Sequence, residues 1–358
     1  MDMNHFPQTI CSPAYPAGHV QGIAVDMARG YIYYSFTTLL VKARLDGQVV
    51  GSVTGLAGHL GCLAINPADG LVYGSLEYKR DAIGASIRQS LGMDEASGDG
   101  FYVAMFDGDR ITQENMDAEG DGIMRCVHLP TVLEDYEATV HTAAGPRKHR
   151  YGCSGIDGLS FGPLFGSGTH GPWGLCVAYG VYSDLERQDN DHQVLLRYDT
   201  GEWDRLARPL NQNNMHRSGP AQPQGKYFVF TGNTTYGVQN LEYDAFTGHW
   251  LMAVYRGKKP QYPNRDLYII DGSAPPQTRP LIGLGGETGQ TLSLWQRGIR
   301  HEATGIHAWD SPWGTTGLYS FGNGYYYLSQ DGRSEEGYYT QVRRYRWTGD
   351  APFPFEEG

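Results

Sequence analysis

Cysteine is scarce and scattered in this chain. Cys11, Cys62, Cys126, Cys153 and Cys176 are odd in number and never stand in a CxxC pair. That spacing excludes a disulfide framework or a thiolate metal knuckle as the organising device, and buried free thiols are expected. Apolar runs are short as well. None reaches the roughly 18 residues needed to cross a membrane, so no membrane partner is expected. The start, MDMNHFPQTICSPAYPAG, has no basic segment followed by an apolar one, and a cytoplasmic location is the expectation, with a removed signal as the alternative. Basic charge is also short: 28 Lys and Arg against 39 Asp and Glu give a net charge of −11, which argues against a nucleic-acid partner. No GxSxG, HExxH or P-loop occurs. GLGGETG (283–289) lacks the spacing of a dinucleotide fingerprint, and DAEGDG (117–122) lacks the closing Glu of a calcium loop, because that position is His128.

Glycine and tyrosine, in contrast, are abundant, at 49 and 25 residues, as a protein of many short strands and turns requires. GHVQGIAVD, MARG, YIYYSFTT, LLVKARLD and GQVVGSVTG read from Gly18 as four strands with short turns. Forty residues later the pattern returns as GHLGCLAIN, PADG and LVYGSLEYKR. His19 then lies over His59, Ile23 over Leu63, Val25 over Ile65 and Asp26 over Asn66. Further copies are SGIDGLSFGP with GLCVAYGVYSD, QNLEYDAFTGHWLMAVYRGKK, and TGIHAWDSPWGTTGLYSFGNG. The repeated Asx at Asp26, Asn66, Asp244 and Asp310 reads as a turn cap.

A period of 40 to 45 residues with four strands per unit resembles the β-propeller class, in its loose repeats of the form GIAVD…G.IY. The resemblance covers nearly the whole chain and implies an all-β fold, one β-propeller domain over 1–358. Five inner strands give five blades; six or seven follow if KYFVFTGNT or the 101–129 segment opens another. HQVLLRYDTGEW with RLARPL, and RDLYIIDG with RPLIG, are expected as outer strands. TQVRRYRWTG leaves the last blade one strand short, and HFPQTICSPAY is expected to close the ring. Insertions interrupt the period at about 80–100, 130–152 and 211–224. The first contains a short helical pattern, AIGASIRQSLGM, and is the expected lid of a site.

The resemblance also implies that ligands bind at one mouth of the central channel, where inner strands begin and second strands end. On this sequence the first set is His19, Gln21, His59, Ser154, Asp157, Gln239, Asn240, Glu242, Thr304 and His307. The second is Thr37, Glu77, Lys79, Tyr182, Asp184, Arg256, Lys258, Phe321 and Asn323. Imidazoles and carboxylates suit a divalent ion (calcium, manganese or zinc), with His19, His59 and His307 as its ligands. They also suit acid–base work, for which Glu242, Asp157, Glu77 and His307 are the candidates. Glu242 stands between Leu241 and Tyr243 in a strand and therefore faces away from both. Lys79, Arg256 and Lys258 would clamp an anionic group, with Tyr182, Gln239, Asn240 and Gln21 as further binding residues. The expected function is a hydrolase or lyase acting on a carbohydrate or sugar acid with metal assistance, its ligand a small molecule or oligosaccharide. A non-catalytic binding propeller and a phosphoesterase or nucleotidase are the alternatives.

Overall fold

A computed structural model describes residues 3–93, 98–142 and 145–358; residues 94–97 of the first insertion and 143 and 144 of the second lie outside it. Five β-sheets stand in a ring, and their innermost strands are Val20–Asp26, His59–Ile65, Cys153–Pro163, Thr235–Asp244 and Leu318–Ser320. Each inner strand packs beside the next, and the fifth returns to the first, so the sheets are blades of a five-bladed β-propeller.

The burial pattern follows from that geometry. Both faces of a blade are covered by neighbours, so a strand such as Tyr31–Phe36 is apolar and buried at nearly every position instead of alternating with water. The described core divides into five clusters, each shared by two blades. Blades one and two join through Ala24, Tyr33 and Val53 against Leu60, Leu63 and Val72. Blades two and three join through Tyr73 and Phe101 against Leu159 and Tyr179. Burial on this scale supplies roughly 25 cal/mol per Å2 of apolar surface and is the main stabilising term.

Ring closure runs as the sequence implies. Thr9–Cys11 pairs antiparallel with Tyr338–Trp347, Ile10 opposite Val342, and becomes the outermost strand of blade five. KYFVF opens no sixth blade, because Gly225–Phe230 is the fourth strand of blade three. The 101–129 segment likewise supplies the outer strands of blade two, Gly100–Phe106 and Met124–His128.

Three expectations need correction. RLARPL is no strand: Trp203–Leu206 is helical, and Arg208 only bridges to Cys126 on blade two. The RPLIG segment does not complete blade four. Gln277–Pro280 pairs with Thr288–Thr291, which extends the edge of blade three. The fifth inner strand is not IHAWD (306–310) but the LYS of GLYSF, Leu318–Ser320, which begins twelve residues later. His307 instead pairs with Arg300, and Trp309 bridges to Leu267 on the flank of blade four.

The helical pattern of the first insertion forms α1, Ala82–Ser90. Asp81 caps it by accepting from Gly84 N at 2.9 Å. Gly84 is required there, since a Cβ would lie 1.8 Å from the Lys79 carbonyl oxygen. No helix among the described residues is long and apolar enough to cross a membrane.

Candidate functional site

The inner strands all descend from the same face, and each of the first four carries an irregularity near its upper end. Register shifts lie between Val20 and Gly22, Leu60 and Leu63, Ile156 and Leu159, and Val238 and Asn240. A bulge turns one extra residue toward the axis. Aligned on Ile23, Leu63, Leu159 and Leu241, the upper positions are Gln21, Gly61, Asp157 and Gln239. Of these, Gln21, Asp157 and Gln239 line a cavity of about 730 Å3 at the channel mouth, together with His19, Thr37, His59, Glu77, Lys79, Ser154, Arg256 and Lys258.

At its floor lies a buried charge cluster. Lys79 Nζ contacts Glu77 Oε1, donates to Ser154 O at 2.7 Å, and lies 3.7 Å from Asp81 Oδ2. The second oxygen of Glu77 accepts from Ile156 N at 2.9 Å. His59 Nδ1 is buried without a hydrogen-bond partner, 3.8 Å from Glu77 Oε1 and 3.7 Å from Asp157 Oδ1. Gln239 Nε2 donates to Asp157 Oδ2 at 3.3 Å and to Tyr236 O at 3.0 Å. On the other side Gln21 Nε2 donates to Thr37 Oγ1 and to His19 Nε2, each at 3.2 Å, while His19 Nδ1 donates to Val20 O.

The protonation pattern follows from burial and these partners. Burial and the adjacent Lys79 ammonium lower His59 to about 3, so its imidazole is neutral. Burial also lowers the tendency of Lys79 to hold its proton, but Glu77 and Asp81 outweigh it and raise the ammonium. Burial raises Glu77, against the opposing pull of Lys79 and the Ile156 N–H. Asp157 has no cation in contact, and burial with the Glu77 charge pushes it well above the ordinary carboxylate range. These directions agree with a Glu77–Lys79 ion pair beside an Asp157 that resists ionisation and a neutral His59.

Several residues outside the expected rings complete the walls. Ala82, Ile83, Ser86 and Ile87 of α1 form an apolar side, and Tyr236 and Tyr255 are placed nearby. Tyr236 has φ of 64° and stays exposed, directly before Gly237 at φ 77°. The glycine after Tyr236 is the local sequence feature that marks this turn, since it takes a positive φ without strain. α1 thus makes the first insertion a wall of the cavity.

Other expected members stand elsewhere. Glu242 lies at the opposite end of the channel, where it accepts from Ser320 N at 2.8 Å and Ser160 Oγ at 3.1 Å. Asn240 lies between the two ends: Nδ2 donates to Gln21 O at 2.9 Å and Thr315 O at 2.7 Å, and Oδ1 accepts from Cys62 Sγ. Tyr182 sits behind the cavity and donates to Asp81 Oδ2 at 2.7 Å. Arg256 lines the rim, but Asp266 grips it through two bonds at 2.8 and 2.6 Å and Asp310 lies at 3.0 Å. Lys258 is exposed at the same rim, while its neighbour Lys259 is buried against Asp191 and Asn190. Phe321 belongs to the opposite end, because it follows the true inner strand of blade five.

His307, on the flank of blade four, does not join His19 and His59, so the expected three-imidazole set is not brought together. Among the described residues no group of three or more His, Cys, Asp and Glu is placed to hold a metal ion.

No protein-family model matches the chain, and no curated protein matches it. Solved structures do resemble it. A calcium structure of a family AA12 carbohydrate-active enzyme from Trichoderma reesei has a TM-score of 0.40 at 11% identity, covering 90% of this chain and 80% of that one. The PQQ domain of pyranose dehydrogenase from Coprinopsis cinerea gives 0.37 at 12%, over 90% and 81%. The Dos1 propeller gives 0.35 at 11%, over 90% and 78%.

Proposed function

We propose that the upper cavity binds a small hydroxylated molecule, a sugar or sugar acid, and that Asp157 supplies the proton in its hydrolysis or β-elimination. The observation that carries the reading is the buried Asp157 carboxyl on the cavity floor, held by Gln239 and 3.7 Å from the unpartnered Nδ1 of His59, where burial and the Glu77 charge raise its affinity for a proton. Both reactions need a proton at the leaving oxygen, and an acid raised toward neutral pH is suited to give it. The neutral His59 Nδ1 accepts a hydrogen bond from a substrate hydroxyl or a water. The amides of Gln21 and Gln239 and the hydroxyls of Thr37 and Ser154 provide further polar partners, and the tyrosines and α1 provide apolar surface for a ring.

Non-catalytic binding is the second reading. It is favoured by the pairing already made within the site, Glu77 with Lys79 and Arg256 with Asp266 and Asp310. Phosphate recognition is less well supported, because Lys258 is left as the rim cation for it.

Calorimetric titration with neutral sugars, uronic acids and phosphate esters tests the reading, with and without added calcium, manganese or zinc. Binding of a sugar or uronic acid that weakens in Gln239→Ala is expected. Turnover of the corresponding glycoside or polyuronide should be lost in Asp157→Asn while binding survives. Binding without turnover selects the second reading. Absence of sugar binding, or preference for phosphate esters, overturns the first.

A further inference from the structure

A second cavity, of about 450 Å3, opens at the far end of the channel, separated from the first by the Asn240 contacts. Its chemistry differs. The walls are mainly aliphatic and aromatic, including Ile23, Leu63 and Phe161, and Glu242 stands among them. The Glu242 carboxylate bridges blades three and five through Ser160 and Ser320, both neutral donors. Among the described residues no basic side chain pairs with it, and the other charge acting on it is the like charge of Asp244. Asp244 is satisfied by Ser320, Thr247 and Tyr326 hydroxyls. Asp26 at the rim is already paired with Arg29 at 2.9 Å. An acid facing an apolar cavity with no counter-charge is costly unless it is protonated or a ligand supplies the charge.

Aromatic rings frame the same space. Trp173 stands edge-on to Tyr243 with ring centroids 5.6 Å apart, and Tyr319 edge-on to Phe321 at 5.2 Å. Half of Trp173 remains exposed at the rim. Aromatic faces attract alkylated ammonium groups, and a single carboxylate among them adds the charge. A hard metal ion would require six or more oxygen ligands, which this wall does not offer.

We propose that this cavity binds a small organic ammonium ion, held by the Glu242 carboxylate against Trp173, Tyr243, Tyr319 and Phe321. The site is independent of the sugar reading of the upper mouth.

Choline and tetramethylammonium, with the uncharged carbon isostere of choline as control, test it by calorimetry and Trp fluorescence on the full chain. Choline should bind one to one, more tightly as pH rises toward about 8 because the ammonium engages the ionised Glu242, and Glu242→Gln should weaken binding at the upper end of that range by about tenfold or more. Ligand binding at the upper mouth should not change in that variant. If Glu242→Gln fails to fold, Trp173→Ala, whose ring is half exposed, carries the test with a loss of roughly threefold or more. Equal affinity for the isostere, unchanged choline binding in these variants, or no binding of either ammonium probe overturns the proposal. So does binding of a trimethyllysine peptide without binding of free choline, because the occupant would then be a protein side chain.

Discussion

Gly155 gives Glu77 its place: a Cβ at position 155 would lie 1.8 Å from Glu77 Oε2 and 3.0 Å from the Phe101 ring. The glycine also has φ of 129°, a conformation that an L side chain resists. Backbone and carboxylate thus occupy one space on the condition that residue 155 has no side chain. Gly155→Ala should therefore destabilise the fold by roughly 2–4 kcal/mol. It should also displace Glu77 from Ile156 N and weaken ligand binding at the upper mouth. Urea denaturation with the midpoint read at constant m checks the first effect, and calorimetry the second. A fully stable variant would mean that Glu77 has room to move.

Lys79 and Glu77 form a buried pair whose partners depend on each other. Removing the ammonium in Lys79→Met leaves Glu77 and Asp81 without it, at a cost of about 3–5 kcal/mol. Adding Glu77→Gln should recover at least half of that loss, because an amide needs no counter-ion. Denaturation of the single and double variants checks the coupling. Equal instability of the two would locate the cost in packing of the lysine stem instead.

Much of this architecture was legible in the sequence. The first two blades repeat GHVQGIAVD as GHLGCLAIN, and the missing outer strand of the last blade pointed to the N-terminus. Gln21, His59, Glu77, Lys79, Asp157 and Gln239 do share one cavity: bulges at equivalent heights turn Gln21, Asp157 and Gln239 inward, and His59 pairs with Glu77 at the upper ends of their strands, next to Lys79. The fifth blade was misread for a physical reason. IHAWD alternates well and ends in Asp, whereas the true inner strand is only Leu318–Ser320 between glycines. That error carried His307, Thr304 and Phe321 to the wrong places.

Depth and partnership were the other hidden quantities. Glu242 does face the channel, but it stands three residues below Gln239, about 10 Å farther along the strand. Alternation gives the direction of a side chain and not the end of the channel it serves. The engagement of Arg256 depends on Asp266 and Asp310, ten and 54 residues away in sequence, which no local pattern discloses.

Asn240 closes the channel between the two cavities. Its amide donates to carbonyls on blades one and five, and truncation leaves both buried acceptors unpaired. Asn240→Ala should cost roughly 2–4 kcal/mol. It should also join the two cavities, so that each mouth's ligand affects binding at the other. Denaturation and paired titrations check both outcomes. Retained stability would indicate that water replaces the amide.

Glu242 should impose a measurable pH dependence on stability. Burial raises its carboxyl from 4.5 to about 8, while Ser320 N–H and the Ser160 hydroxyl limit the rise. Between those values the folded chain keeps a proton that the unfolded chain has released. Each increase in pH within that window therefore favours unfolding, by up to about 1.4 kcal/mol per unit, and the effect ends above the folded value. Asp26, paired with Arg29, and Asp244, bonded to hydroxyls, face the same region and are present in both proteins compared. Glu242→Gln removes the one proton, so the variant should gain stability relative to the wild type as pH rises from about 4.5 to 8. Urea midpoints across that range read the difference directly. Parallel curves would mean that the carboxylate is solvated well enough to ionise normally, and the far cavity would then be wetter than its apolar walls imply.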